Sequence, residues 1–216
     1  VLRAARALAA EAGTLSGAAL TLTKNLPVAS GIGGGSADAA AALRALKALW
    51  RVKIDESALM EIAAALGSDV PVCVPSTAAF MEGRGEILTP VTLPRLAMLL
   101  VNPGVAVPTR DVFAALQSRS GAAMTLPRGG FADAGSLLQF LQATRNDLEA
   151  PARAIQPVIG EVLTALEGLP GVLLARMSGS GATCFALFPD PEACRHAGAL
   201  LQAARRGWWV APTQLR

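Results

Sequence analysis

The sequence predicts an α+β fold in two layers, divided into two domains over residues 1–92 and 93–216. Three observations carry that reading. Apolar residues at helical spacing alternate with short strand-like runs along the whole chain. A proline-bearing stretch, Thr89-Pro90-Val91-Thr92-Leu93-Pro94, separates two different element patterns. Between residues 31 and 36 a loop with four glycines in five positions runs straight into an alanine-rich helix.

The elements follow in order. Residues 1–12 read as the interior of an amphipathic helix that stops at Gly13, with no initiator methionine and no N-cap. A chain that opens inside a helix predicts a fragment. Ala18 to Thr23 alternates apolar and polar residues and reads as a strand. The glycine loop comes next, then a helix over 36–50 that places Leu43, Leu46, Leu49 and Trp50 on one face, with Ser36 and Asp38 in first-turn capping positions. Asp55 reads as the N-cap of a further helix with Leu59, Ile62 and Leu66 on its apolar face and Gly67 as its stop. Ser68 to Val74 carries an aspartate into an apolar run. Residues 78–80 and 86–88 read as a hairpin around Glu82-Gly83-Arg84-Gly85.

Beyond the proline stretch, Leu96 to Val101 reads as a strand. Helices are expected at 109–117, 133–142 and 151–168, and strands at 172–177 and 183–188. A helix over 191–206 and a last strand over 207–211 follow, and residues 118–135 read as loop. With the helix at 109–117 set aside as an insertion, the order is β-α-α-β-β-α-β. That is a ferredoxin-like split βαβ arrangement with one extra helix.

Bulk properties exclude several functions. The 216 residues are 52% hydrophobic and 16% charged, with net charge +3. Mean hydropathy is +0.44, raised by alanine, and no run of eighteen apolar residues exists to span a membrane. The basic residues are scattered, with no stripe and no aromatic interleaving, so nucleic acid is not an expected partner. A mild basic excess suits an anionic small molecule. Cys73, Cys184 and Cys194 show no CxxC spacing and an odd count, so they predict inert thiols in a reducing cytoplasm. The single histidine, His196, argues against a Ser-His-Asp hydrolase and a histidine-based zinc site.

The glycine loop points to chemistry. Bare glycine backbone lets a bulky group approach its N–H groups, and the following helix aims free N–H groups and a positive dipole end at the same space. That is an anion site, and the common anion is a phosphate. A linker would sit between polar segments, whereas this loop joins an apolar run to a strong helix. A P-loop needs Lys-Ser/Thr after the glycines, where Ser36-Ala37 stands. A dinucleotide fingerprint needs a buried strand before Gly31, and Pro27-Val28-Ala29-Ser30 is a poor one.

The stretch Pro27-Val28-Ala29-Ser30-Gly31-Ile32-Gly33-Gly34-Gly35-Ser36-Ala37-Asp38-Ala39-Ala40 resembles the phosphate-binding motif of the GHMP kinases. Within that superfamily, Gly33-Gly34-Gly35 and the run Glu82 to Pro90 look most like the 4-diphosphocytidyl-2-C-methyl-D-erythritol kinases. The resemblance implies the GHMP kinase fold, with an incomplete ribosomal S5 domain 2-like N-terminal part that binds ATP and a ferredoxin-like C-terminal domain. It implies an ATP-dependent kinase that phosphorylates the 2-hydroxyl of the cytidyl-linked methylerythritol. By the same resemblance, ATP contacts fall on Lys24, on Pro27 to Asp38, and on a second glycine motif carrying Gly179, Ser180 and Gly181. Many other superfamily members carry serines at the positions of Gly34 and Gly35, so a serine's magnesium-holding role does not carry over.

Asp69, in Gly67-Ser68-Asp69-Val70-Pro71, matches the segment of the family's catalytic aspartate. Read by itself it is a helix cap or a turn residue. Thr109 and Phe113, after Asn102-Pro103-Gly104, match positions near the cytidyl group, with Thr109 otherwise an N-cap and Phe113 otherwise core. Lys24 stands between a nucleotide contact and a surface lysine, and Asn146 between a family motif and a helix-start turn. Residues 178–183 by themselves make a plain hairpin turn. Magnesium is an expected cofactor with no ligand assigned. The family pairs its aspartate with a lysine near its N-terminus, for which this chain has no matching segment. The alternatives are a sister kinase of the homoserine or phosphomevalonate type, and a chain that binds nucleotide without catalysis. The expected state is a cytoplasmic monomer or homodimer.

Overall fold

The structure is a computed structural model that describes residues 1–28, 30–118, 124–127 and 129–215. It divides into one unit of Val1–Asn25 with Gly33–Val91, and another of Leu26–Ile32 with Thr92–Arg216.

In the first unit, helices α1 (Leu2–Ala12), α2 (Gly34–Leu49), α3 (Glu56–Leu66) and α4 (Val70–Cys73) precede a hairpin of β1 (Ala79–Glu82) and β2 (Ile87–Pro90). Helix α1 ends where Gly13 takes a left-handed conformation, as the sequence predicts. Asp55 caps α3 by accepting from the Ala58 N–H at 2.7 Å, and that hydrogen bond holds its carboxyl below the usual range. The four helices share a core of Leu8, Leu43, Leu46, Leu59, Ile62 and Val70. Each large apolar side chain buried there is worth roughly 1.5–3 kcal/mol.

Three expectations fail in this unit, the first being Leu49, expected on the apolar face of α2 and found 63% exposed. Ala18 to Thr23 is not a strand: the segment is exposed and carries no ladder hydrogen bonds among the described residues. Alternation supplies the pattern, but a strand also needs a neighbour to pair with. Helix α2 begins at Gly34 rather than 36, with Gly33 as N-cap, and neither Ser36 nor Asp38 caps it. Glycine is a poor helix former, yet Gly34 and Gly35 are the first two residues of α2.

In the second unit, β3 (Leu96–Asn102), α5 (Thr109–Ala114), α6 (Ala134–Gln142), α7 (Glu149–Ile155), α8 (Val158–Glu167), β4 (Leu174–Met177), β5 (Cys184–Phe188), α9 (Pro191–Ala204) and β6 (Trp209–Leu215) follow in order. The sheet runs β4-β5-β3-β6 and every pairing is antiparallel. This is the ferredoxin-like order. One face, carrying Leu99, Val101, Ala186 and Phe188, packs on Ile159, Val162 and Leu166 of α8 and Ala197 and Leu201 of α9. The other face, carrying Leu96 and Leu187, is covered by Leu137 of the extra helix α6. Cover on both sides explains why β3 reads as the unbroken apolar run Leu96 to Val101. The single helix expected at 151–168 is two helices. Gln156 turns out of the helical region before Pro157, whose ring disfavours helix at the preceding residue.

Cys184 lies in this core with its side chain fully covered. Burial pushes its thiol from 9.0 up to about 12, and the charge of Glu149 adds to the shift. In the unfolded chain the same thiol ionises near 9. The neutral thiol therefore contributes stability that is fully present below pH 9 and is lost as pH rises from 9 to about 12. We expect the denaturant midpoint to fall over that range and Cys184→Ala to flatten the fall. An equally steep fall in the variant would assign the loss to other groups.

Candidate active site

The first unit supplies a helix start and a carboxylate. Gly34, Gly35 and Ser36 form the first turn of α2, and no side chain caps it. Their N–H groups are those that an α-helix leaves without an internal partner. Lys24 forms an ion pair with Asp38, one turn into α2. The two residues expected at the nucleotide thus engage each other, and Lys24 is not a free surface lysine.

Asp69 occupies the N-cap position of α4, yet its carboxylate makes no capping bond. The apolar run after it forms this short helix. The side chain is exposed and accepts from the Ser68 hydroxyl at 3.2 Å. Of the readings open for Asp69, no side-chain cap is made, and the residue does lie in a turn, closed by the Val70 N–H donating to the Gly67 carbonyl at 3.1 Å. Arg44 of α2 donates to the carbonyls of Cys73 and Val74 at 2.7 and 3.0 Å, so the C-terminal end of α4 is tied to α2. In the sequence Arg44 is one of several scattered basic residues, with no local pattern that marks this role. Cys73, half-buried on α4, has its thiol pushed up first by burial and then by the charge of Asp69.

The second unit brings two glycine segments together. The Ser178 hydroxyl donates to the Gly31 carbonyl at 3.0 Å, and the Thr183 N–H donates to the Ser30 carbonyl at 3.2 Å. A Cβ built at Gly31 would overlap the Gly181 carbonyl oxygen, and one built at Gly179 would stand 2.9 Å from the Gly31 oxygen. Both loops are therefore shaped by the absence of side chains. Asn146 donates to the carbonyls of Met177 and Gly179 at 3.0 and 2.8 Å and accepts from the Leu148 N–H at 3.0 Å. It makes the helix-start turn and also anchors the second glycine segment. Buried Asn102 donates to Thr183 at 2.9 Å and accepts from the Gly104 N–H at 2.8 Å, joining the strand end to the same place. Pro27 is half-buried and Val28 exposed, while Ala29 lies outside the described residues.

Thr109 is the first residue of α5, whose N-cap is Pro108, so the threonine is not the cap. Its hydroxyl instead pairs with that of buried Ser180 at 2.8 Å, linking a residue expected at the acceptor to one expected at the nucleotide. Phe113 is 49% exposed, while its neighbour Val112 fills the core. The phenylalanine lines a cavity of about 610 Å³ with Leu116, Gln117, Arg145, Asp147 and Pro151.

With these positions in view, the comparisons with known proteins decide the family. Residues 1–77 match the sequence pattern described as the GHMP kinases N terminal domain, and residues 122–202 match GHMP kinases C terminal. The 4-diphosphocytidyl-2-C-methyl-D-erythritol kinase of Cereibacter sphaeroides is 53% identical over 100% of this chain and 75% of its own length. That of Parvibaculum lavamentivorans is 54% identical over 97% and 73%. This chain belongs to the 4-diphosphocytidyl-2-C-methyl-D-erythritol kinases, within the GHMP kinases.

A crystal structure of a 4-(cytidine 5'-diphospho)-2C-methyl-D-erythritol kinase superposes with a TM-score of 0.73 at 33% identity, covering 97% of this chain and 77% of that one. Membership in a kinase family brings with it the use of ATP on a small molecule. Among the described residues, no three histidine, cysteine, aspartate or glutamate side chains cluster as metal ligands. No helix among them is long and apolar enough to cross a membrane.

Proposed function

We propose that this chain transfers the γ-phosphoryl group of ATP to the 2-hydroxyl of 4-diphosphocytidyl-2-C-methyl-D-erythritol. The observation that carries the reading is Asp69, an exposed carboxylate at a helix start that it does not cap, in a chain of this kinase family. Phosphoryl transfer asks for an in-line hydroxyl and a group to take its proton. In this reading Asp69 orients the acceptor hydroxyl and accepts its proton as the oxygen–phosphorus bond forms, and ADP leaves with the electrons of the broken bond. The N–H groups of Gly34, Gly35 and Ser36 hold phosphate oxygens, helped by the dipole of the sixteen-residue helix α2.

Lys24, Pro27 to Asp38, Gly179, Ser180 and Gly181 are assigned to the nucleotide, within the proposed domains 1–92 and 93–216. Thr109 and Phe113 are assigned to the cytidyl group. The half-exposed ring of Phe113 offers a stacking surface for a pyrimidine. Magnesium would enter with the triphosphate and neutralise charge developing on it. No protein ligand is assigned to it. The reaction is placed in the cytoplasm, in a monomer or homodimer.

The test is incubation of this chain with ATP, magnesium and the cytidyl-linked methylerythritol, with homoserine and phosphomevalonate as rival acceptors, followed by product mass. A gain of one phosphoryl group on the first acceptor alone is the expected result. Transfer to a rival acceptor would move the chain to a sister activity. Bound ATP with no transfer to any acceptor would give it a binding role instead.

A further inference from the structure

The turn Glu82-Gly83-Arg84-Gly85 has no part in the proposed reaction, yet it touches the segment that carries Asp69. Gly85 is buried in a tight turn closed by its N–H donating to the Glu82 carbonyl at 3.1 Å. Its φ of +103° lies in a region that L side chains avoid. A Cβ there would stand 2.5 Å from the Ser68 carbonyl oxygen, 3.3 Å from the Ser68 carbonyl carbon and 3.2 Å from the Met81 terminal methyl. The Ser68 carbonyl belongs to the peptide bond that leads into Asp69. The Asp69 carboxylate makes no cap on α4, and the hydrogen bond it accepts comes from its own neighbour, Ser68. Its direction is therefore set by the backbone beneath it.

We propose that Gly85 is a positioning residue for Asp69: the hairpin turn is a backstop that sets the Ser68–Asp69 peptide, and only glycine leaves room for it. The inference rests on the reading of Asp69 as proton acceptor. A displacement of about 1 Å in a reacting group can cost on the order of a hundredfold in rate.

Gly83 provides the control. It sits in the same turn at φ +67°, and the atoms nearest to a Cβ there belong to the Glu86 carboxylate, which accepts from the Arg84 N–H within the turn. Gly83→Ala therefore strains the turn without touching Ser68. Gly85→Ala is expected to lower kcat tenfold or more while leaving KM for both substrates near the parent values, as roughly one part of that hundredfold effect. Gly83→Ala is expected to lose comparable thermal stability and keep kcat. In an Asp69→Asn background, Gly85→Ala should cost nothing further, because both act through one group. If Gly85→Ala does not accumulate as folded protein, Met81→Ala with Gly85→Ala removes the side-chain contact and leaves the carbonyl clash, with the same expected loss. Alkylation of Cys73 reads the same displacement without turnover: Gly85→Ala should change its rate and Gly83→Ala should not.

An unchanged kcat in Gly85→Ala would overturn the proposal, and so would an equal loss in Gly83→Ala or a further loss in the Asp69→Asn background. An active Asp69→Asn would remove the underlying assignment of Asp69. An inactive Asp69→Asn beside a fully active Gly85→Ala would remove the positioning role alone.

Discussion

Asp69→Asn is expected to lower turnover by roughly 10²–10⁴ while ATP binds as before. That range corresponds to about 3–5 kcal/mol of transition-state stabilisation. Asparagine keeps the size and shape of the side chain and can still accept from the Ser68 hydroxyl. What it loses is the capacity to take a proton from the acceptor. The fold should hardly notice, since the carboxylate caps no helix and is exposed, and such surface changes fall within about 0.5 kcal/mol.

The same variant has a second readout that does not depend on turnover. The charge of Asp69 helps to push the Cys73 thiol upward. Removing that charge lowers the thiol's pKa toward its ordinary value, so more thiolate is present at a given alkaline pH. Cys73 should then react faster with iodoacetamide. Loss of turnover together with faster alkylation places the effect at Asp69. Normal turnover in the variant would sink its assignment as the proton acceptor.

Much of the fold was legible because it depends on local rules. The caps Gly13 and Asp55, the hairpin turn at 82–85 and the β3 run are each settled by a few neighbouring residues. The ferredoxin-like order followed from the succession of these elements. The failures share a different cause. The alternation at 18–23 is a local pattern whose outcome depends on a partner strand. The start of α2 was decided by the use of a glycine-rich segment as helix, against propensity. Gln156-Pro157 was a local signal that the long apolar pattern around it obscured.

The candidate residues could be named from the sequence, but the contacts that fasten them could not. Arg44 reaches carbonyls 29 and 30 residues away, Asn146 reaches 31 and 33 residues, and Asn102 reaches 81. A side chain bonded to a distant residue leaves no periodicity and no spacing to read. Buried polar residues in an apolar sequence are the usable hint, since each needs a partner when it leaves water. Asn102 and Thr183 are 2% and 0% exposed and satisfy each other, which keeps the strand end and the second glycine segment in one place.

Gly31→Ala is the other change with a large expected effect, and here stability rather than chemistry gives way. Gly31 has φ +73°, and an alanine there costs about 1–2 kcal/mol for the left-handed backbone alone. Its methyl group would also overlap the Gly181 backbone, which has little freedom to retreat. A Cβ at Gly181 would already approach the Met177 sulfur to 2.9 Å and the Ile159 methyl to 3.2 Å, so that loop lies against the core. Forced displacement of packed structure adds about 1–3 kcal/mol. The sum is a loss of roughly 2–5 kcal/mol, with the Ser178–Gly31 and Thr183–Ser30 bonds stretched as the segments part. Gly33→Ala isolates the contact, because Gly33 has nearly the same φ, +68°, and nothing within 4 Å of its Cβ position. It should lose only the backbone share, about 1–2 kcal/mol. Denaturant unfolding of both variants measures the difference directly. A larger loss in Gly31→Ala, accompanied by weaker ATP binding, is the expected outcome. Equal losses would mean that the two glycine segments do not support each other through Gly31.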